Sequence, residues 1–152
     1  MEELLRLFKE KGLTLGSVES MSGGLFASSI TSVPGASQVF KGSIVTYQTC
    51  EKIKLLGIDE SIIKEHGVVS KAVALEMACK GQELLDVDVC ISITGNAGPT
   101  CEPGGMPVGR AYIGLATKSE CIFYELNLEG SRNEIREKSV KKMTDLLKKA
   151  LF

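Results

Sequence analysis

The sequence predicts an α/β domain, a three-layer α/β/α sandwich over a mixed sheet of five or six strands. Three observations carry this expectation. Stretches rich in β-formers at residues 13–19, 39–49 and 87–93 alternate with helical stretches, the order that builds βα units on a largely parallel sheet. Two further strand-like runs, 110–117 and 121–128, are joined by a tight turn at Lys118-Ser119 and read as an antiparallel hairpin, which makes the sheet mixed. Helical segments stand before the first strand and after the last.

In chain order, Glu2 to Lys11 carries Leu4, Leu5, Leu7 and Phe8 and stops at Gly12, an amphipathic helix with a glycine terminus. Leu13 to Glu19 alternates partly and reads as a strand. Ser20-Met21-Ser22-Gly23-Gly24 turns it into a helix that runs to about Val33, before Pro34-Gly35. Val39 to Thr49 is the next strand, with Gly42 marking a bulge. Cys50–Leu56 and Glu60–His66 are two short helices divided by Gly57. Ser70 caps a longer helix with Val73, Met77, Leu84 and Leu85 on one face. Val87 to Ile93 is a strand, followed by a glycine- and proline-rich loop from Gly95 to Pro107. After the hairpin, a helix from about Arg132 to Leu151 buries Ile135, Val140, Met143 and Leu147. No repeat or linker divides the 152 residues, so a single domain over 1–152 is expected.

Composition narrows the function classes. A chain that is 43% hydrophobic and 24% charged has the make-up of an ordinary globular domain. It contains no run of about 20 apolar residues, and Met1-Glu2-Glu3 does not open like a signal peptide, so a cytoplasmic protein away from the membrane is expected. Eighteen basic residues balance nineteen acidic ones, which gives no electrostatic case for nucleic acid. The positive excess is local: residues 131–152 hold seven Lys or Arg against three Asp or Glu. Most of it is what a solvated helix face would carry. The cysteines, at 50, 79, 90, 101 and 121, are odd in number and contain no Cys-x-x-Cys pair, so reduced core thiols are expected rather than a disulfide framework or a zinc site. The one histidine, His66, stands at a helix end, where it serves a capping or charge role. Metal and cofactor are therefore not expected.

Sheets of this type bind ligands at the carboxyl ends of their strands, and two loops leave strands there. Ser20-Met21-Ser22-Gly23-Gly24 places hydroxyls at a strand-to-helix junction whose N–H groups would point outward at an anion or an oxyanion; a plainly capped helix would look the same. Thr94-Gly95-Asn96-Ala97-Gly98-Pro99 offers a second hydroxyl on flexible backbone but lacks the Gly-Lys-Ser/Thr of a Walker A loop. With one histidine in the chain, a serine nucleophile needs another base, and Ser–Lys pairs are a known alternative. Tyr47 and Lys52, across a strand end and a helix start, are the residues that draw attention.

These residues resemble a known family. Glu19-Ser20-Met21-Ser22-Gly23-Gly24 is similar to the Glu-Ser-Cys-Thr-Gly-Gly signature of the CinA C-terminal domain family, the nicotinamide-nucleotide amidohydrolases. The resemblance continues through Val33-Pro34-Gly35-Ala36-Ser37, Tyr47 with Lys52, Leu55-Leu56-Gly57 and His66-Gly67-Val68-Val69-Ser70. It runs on through Thr94-Gly95-x-Ala97-Gly98-Pro99 and Pro107-Val108-Gly109 to Gly130-x-Arg132 and Ile135-Arg136. Family members often carry a further N-terminal domain, so the resemblance is to the stand-alone form.

The resemblance implies hydrolysis of the carboxamide of nicotinamide mononucleotide to the acid and ammonia, a step of pyridine nucleotide salvage. It implies Ser20 as nucleophile, Lys52 as base, Tyr47 as the family's tyrosine and Thr94 as the glycine-loop hydroxyl. Ser22, Gly23, Gly24, Gly95, Ala97 and Gly98 fall in the substrate-binding loops. One of Arg132 and Arg136 falls on the family's substrate-binding arginine. A homodimer is expected only by analogy. The departures are Met21-Ser22 for Cys-Thr, Asn96 for isoleucine, Gln48-Thr49-Cys50-Glu51 after the tyrosine, and Arg110 for a small hydroxyl residue. Asn96 and Arg110 are expected to flank the pocket. The rival reading is an inactive nucleotide-binding module of the same fold. For Lys52 to act as base its pKa must fall toward about 7–8, with Lys54 or a pocket arginine as the like charge, burial behind Val39-Phe40 and Leu55-Leu56, and Tyr47 relaying the proton or holding the amine.

Overall fold

The computed structural model describes residues 1–152. The elements follow the order α1 (Glu2–Lys11), β1 (Leu15–Glu19), α2 (Leu25–Thr31), β2 (Phe40–Val45), α3 (Thr49–Leu56), α4 (Glu60–His66), α5 (Lys71–Leu85), β3 (Val89–Gly95), β4 (Arg110–Ala116), β5 (Cys121–Asn127) and α6 (Arg132–Leu151), with one 3-10 turn at Ala36–Gln38. The sheet has five strands in the order β2-β1-β3-β4-β5. β1 pairs in parallel with β2 and β3, and β4 runs antiparallel to both β3 and β5. This is the mixed sheet the hairpin predicted.

Helices cover both faces. On one, α1, α2 and α6 bury Leu4, Phe8, Phe26, Ile30, Ile135, Met143 and Leu147 against Leu15, Ile91, Ile93, Ile113 and Leu115. On the other, Leu56, Ile58, Val73 and Met77 from the α3–α5 side pack on Val18 and Cys90. All five residues of β1 are buried, as expected of a strand covered on both faces. α6 starts where the sequence places it because Ser131 and Glu134 form a reciprocal capping box, and its four expected core residues are all buried.

Several boundaries move for identifiable reasons. β3 runs from Val89 to Gly95 instead of 87–93. Asp88, just before it, is held by Thr14, whose N–H and hydroxyl donate to the carboxylate at 2.8 and 2.7 Å, while Thr94 and Gly95 extend the pairing with β4. β2 ends at Val45, and Thr49 already opens α3. α2 stops at Thr31, two residues early. The bulge lies one residue before Gly42: Leu15 pairs with Phe40 and Gly16 with Gly42, leaving Lys41 as the extra residue.

The buried stripe of α5 is Val73, Ala74, Met77, Ala78 and Gly81, while Leu84 is 57% exposed at its margin in the last turn. Small residues fill the stripe because helix and sheet nearly touch. A Cβ on Gly114 of β4 would lie 2.2 Å from the Ala74 carbonyl oxygen, to which Ser92 Oγ of β3 donates at 2.6 Å. Among the cysteines only Cys90 is a core thiol; Cys50 and Cys101 are exposed and Cys79 and Cys121 half-buried. No helix is long and apolar enough to cross a membrane.

Candidate active site

β1, β2 and β3 run parallel, so the chain leaves all three at one end of the sheet, after Glu19, Val45 and Gly95, which sets Ser20, Thr46 and Thr94 at that end. The ladder continues one step past the strands, with Thr46 N–H donating to the Glu19 carbonyl and Ser20 N–H to that of Ile93. The turn after Ser20 closes through Gly23 N–H on the Ser20 carbonyl (3.0 Å), and Gly23 and Gly24 take φ of 62° and 91°, values that favour glycine.

The N-terminus of α2 does not face a ligand. The carboxylate of Glu19, fully buried, accepts the N–H groups of Gly24 and Phe26 at 3.1 Å and of Ala27 at 2.9 Å. The expected outward anion site is therefore filled by the protein's own side chain. The N–H groups left without a partner in this turn are those of Met21 and Ser22, and the buried Ser22 hydroxyl is also unpartnered.

Lys52 and Leu56, one turn apart, are the buried residues of α3. Lys52 Nζ donates to Ser20 Oγ at 2.9 Å and to the Thr46 carbonyl at 2.6 Å, and the side chain is 1% exposed. Burial lowers its pKa to about 8, slightly opposed by Cys50 nearby. The like charge expected of Lys54 or an arginine is not the cause; loss of water is.

No hydrogen bond joins Tyr47 to the lysine, although both line one cavity. The tyrosine is 56% exposed and accepts a hydrogen bond from Arg132 Nη2 at 2.7 Å, so the relay or holding role is replaced by an arginine contact. Arg132 Nη1 donates to the Gly98 carbonyl at 2.6 Å, which hangs the guanidinium between Tyr47 and the loop after β3. Arg136, one turn later, donates to the Ser22 carbonyl at 2.9 Å and to Asn133 Oδ1 at 3.2 Å, behind the serine turn. Of the two arginines, Arg132 lines the cavity.

That cavity, about 420 Å³, brings together Ser20, Tyr47, Lys52, Thr94, Gly95, Ala97 and Arg132. Ser22, Gly23, Gly24, Gly98 and Arg136 stand outside its lining and support it. Thr94 Oγ1 donates to the Val68 carbonyl at 2.9 Å, and a Cβ on Gly95 would fall 2.4 Å from the Met21 sulfur. Asn96 lines the cavity but its amide is committed to the loop: Nδ2 donates to the Thr100 and Met106 carbonyls (3.1 and 2.9 Å) and Oδ1 accepts from Gly98 N–H at 2.8 Å. Arg110 is not in the lining. It pairs with Glu125 across the hairpin at 2.7 Å, so it does not flank the pocket as expected.

Sequence reasoning assigned no role to Glu19, Met21, Thr46, Val68, Val69, Glu102 or Met106. Val68 and Val69 lie in the block ended by Ser70, whose hydroxyl caps α5, and that cap was the available signal that the segment before it is not helical. Thr46 acts through its carbonyl, which no residue pattern announces. His66 ends α4 beside Glu65 and is outside the cavity. No group of three His, Cys, Asp or Glu side chains is close enough to hold a metal ion. Chemically, the arrangement offers a hydroxyl on a buried amine, two unpartnered N–H groups beside it and a guanidinium across the cavity.

The family model described as the CinA C-terminal domain matches residues 1–151. The chain is similar to a CinA-like protein of Dictyoglomus turgidum, 43% identical over 151 residues that make up 99% of this chain and 37% of that protein. A CinA-like protein of Endomicrobium trichonymphae is 41% identical over 147 residues, 97% of this chain and 34% of that protein. The chain thus spans about a third of the length of these curated relatives. Among solved structures, competence/damage inducible protein CihA from Agrobacterium tumefaciens superposes with a TM-score of 0.90 at 30% identity, covering 96% of this chain and 92% of that one. A competence-damaged protein (CinA) superfamily protein from Escherichia coli gives 0.95 at 26% identity, with coverage of 98% and 87%.

Proposed function

Because this chain belongs to the CinA C-terminal domain family, we propose that it is an amidohydrolase that converts the carboxamide of nicotinamide mononucleotide to the carboxylate and ammonia. The observation that carries the reading is the 2.9 Å contact between Lys52 Nζ and Ser20 Oγ in a buried setting. A serine hydroxyl is a weak nucleophile until a neighbouring base takes its proton. With its pKa near 8, Lys52 is the free amine in about a tenth of molecules at pH 7, against fewer than one in a thousand for an ordinary lysine.

In the free amine, one N–H holds the Thr46 carbonyl while the lone pair accepts the Ser20 proton along the same contact. Ser20 Oγ then attacks the carboxamide carbon, and the unpartnered N–H of Met21, which lines the cavity beside Ser20, is the donor offered to the oxyanion that develops. The lysine passes its proton to the departing nitrogen, ammonia leaves, and water attacks the acyl-serine with Lys52 again as base. Arg132, a planar fork of donors on the cavity wall, suits the phosphate of the mononucleotide. The cavity volume is within the range of small-molecule sites.

The test is ammonia release from nicotinamide mononucleotide by the purified chain and by Ser20→Ala. Turnover in the first and none in the second is expected, with mononucleotide binding kept within a few-fold. Binding without turnover in the unmodified chain would instead identify a nucleotide-binding module.

A further inference from the structure

We propose that Cys79 and Cys121 form a site of reversible disulfide formation, oxidised by small hydroperoxides, that cross-links α5 to the edge strand β5. The site lies outside the cavity and does not depend on the amidohydrolase reading.

Cys79 sits midway along α5 and Cys121 is the first residue of β5, and their sulfurs are in contact at 2.6 Å. Rigid elements set this contact. α5 is held to the sheet by the Ser92–Ala74 hydrogen bond, and β5 pairs with β4 along its whole length, from Cys121 opposite Ala116 to Asn127 opposite Arg110. The same two elements meet again where the Lys71 ammonium lies over the Phe123 ring. Both cysteines are half-buried, so a molecule as small as hydrogen peroxide has access. No other pair offers this: Cys90 is fully buried and its thiol is held well above the usual range, while Cys50 and Cys101 are exposed and contact oxygen atoms only.

The contact also orders the chemistry. Burial holds the Cys121 thiol above the usual range, so Cys121 stays a thiol at neutral pH. The first attack therefore falls to Cys79. Its deprotonated sulfur displaces hydroxide from the peroxide O–O bond and becomes a sulfenic acid. The Cys121 sulfur then attacks that sulfur, its proton leaves with the departing oxygen as water, and the S–S bond forms. Two thiols and one hydroperoxide give one disulfide and two molecules of water when the oxidant is hydrogen peroxide. A dithiol reverses the step. Transient bonds of this type are the usual form in reducing compartments.

The covalent loop would enclose residues 79–121, which include β3, the loop after it and β4, and so most of one cavity wall. Closing such a loop restricts the unfolded chain and should raise the melting temperature by roughly 5–10 °C.

The experiment exposes the full chain to a small excess of hydrogen peroxide, alkylates the remaining thiols under native-like and then denaturing conditions, and maps the peptides by mass spectrometry. Three alkylated cysteines instead of five, a loss of two hydrogens, and a peptide joining Cys79 to Cys121 that dithiothreitol separates are expected. Cys79→Ser and Cys121→Ser should each abolish the cross-link, and the melting temperature of the oxidised unmodified chain should fall on reduction. Five alkylated cysteines after peroxide, sulfinic acid at Cys79 with no cross-link, or a bond through Cys50, Cys90 or Cys101 would overturn the proposal. The peptide map of the unmodified chain decides this even if a serine variant folds poorly.

Discussion

The carboxylate of Glu19 accepts the N–H of Ala27 at 2.9 Å, eight residues on, and so turns the start of α2 back onto the end of β1. Two more N–H groups, of Gly24 and Phe26, converge on the same side chain. The residue next to it in sequence is Ser20. The donors that in many α/β proteins receive a phosphate are here spent on fixing the turn that carries Ser20, so an anion would have to be met elsewhere.

Glu19→Gln tests that relationship. One oxygen is lost as an acceptor and an N–H₂ is aimed at donors, so the turn should loosen without any change at Lys52. Stability should fall by about 1–3 kcal/mol in urea titration, and kcat should drop by about 100-fold with KM changed far less. A kcat within twofold of that of the unmodified chain would show that the turn holds its shape without this carboxylate.

How far residues announce their roles depends on whether the cause is local. The start of α6 was legible because Ser131 and Glu134 cap it within four residues, and Ile135, Val140, Met143 and Leu147 keep helical spacing. The end of β3 was not, because Thr94 and Gly95 are strand only through pairing with Tyr112 and Ala111 on a distant segment. Ser20 and Lys52 are 32 residues apart, and the family resemblance, not any local pattern, brought them together. Glu19 read as one more polar strand residue, since a carboxylate that folds back on a helix start looks in sequence like one facing water. Arg110 was misassigned for the same reason, since Glu125 is not visible as its partner until the hairpin closes; Asn96 lines the cavity as expected, but the hold of its amide on the Thr100 and Met106 carbonyls shows only once the loop closes.

Arg132 and Arg136 should separate cleanly. Arg132→Ala removes the guanidinium that lines the cavity and should raise KM for nicotinamide mononucleotide about tenfold or more, while KM for free nicotinamide changes less than twofold. Arg136→Ala, whose guanidinium is engaged by Ser22 and Asn133, should leave the ratio of the two KM values unchanged. Tyr47→Phe deletes an acceptor for Arg132 and not a contact of Lys52, so KM should shift and kcat should not. Equal changes for both substrates in Arg132→Ala would remove it from the phosphate.

Asn96→Ala should act on the loop rather than on chemistry. The substitution frees the Thr100 and Met106 carbonyls, on an exposed and a half-buried residue where water can replace the side chain, and leaves only the N–H of the buried Gly98 without a partner. The stability cost should therefore stay near 1 kcal/mol. Hydrogen exchange at Gly98 should accelerate more than tenfold, and KM should rise more than kcat falls. Unchanged exchange at Gly98 would mean that the loop is held by something other than Asn96.

Lys52 carries the sharpest trade between activity and stability. Its amine is lowered from 10.5 to about 8 by burial, so the native state binds fewer protons than the unfolded chain between those values. Below about pH 8 the folded protein holds a buried ammonium at a cost on the order of 3 kcal/mol, and that cost is relieved as pH rises from about 8 to about 10.5. Lys52→Met, close in length and apolar, should be inactive yet more stable than the unmodified chain at pH 7, with the gap closing at alkaline pH. Activity follows the same proton in the same direction: kcat should climb with pH and level off above about 8 as the amine is freed. Lys52→Arg should not restore it, since a guanidinium stays protonated across this range. Urea titrations at pH 7 and pH 10 read the first effect, and a kcat–pH profile reads the second. A Lys52→Met chain less stable than the unmodified one at pH 7, or a flat profile between pH 6 and 9, would mean that Lys52 is held charged and serves the fold instead of taking the proton of Ser20.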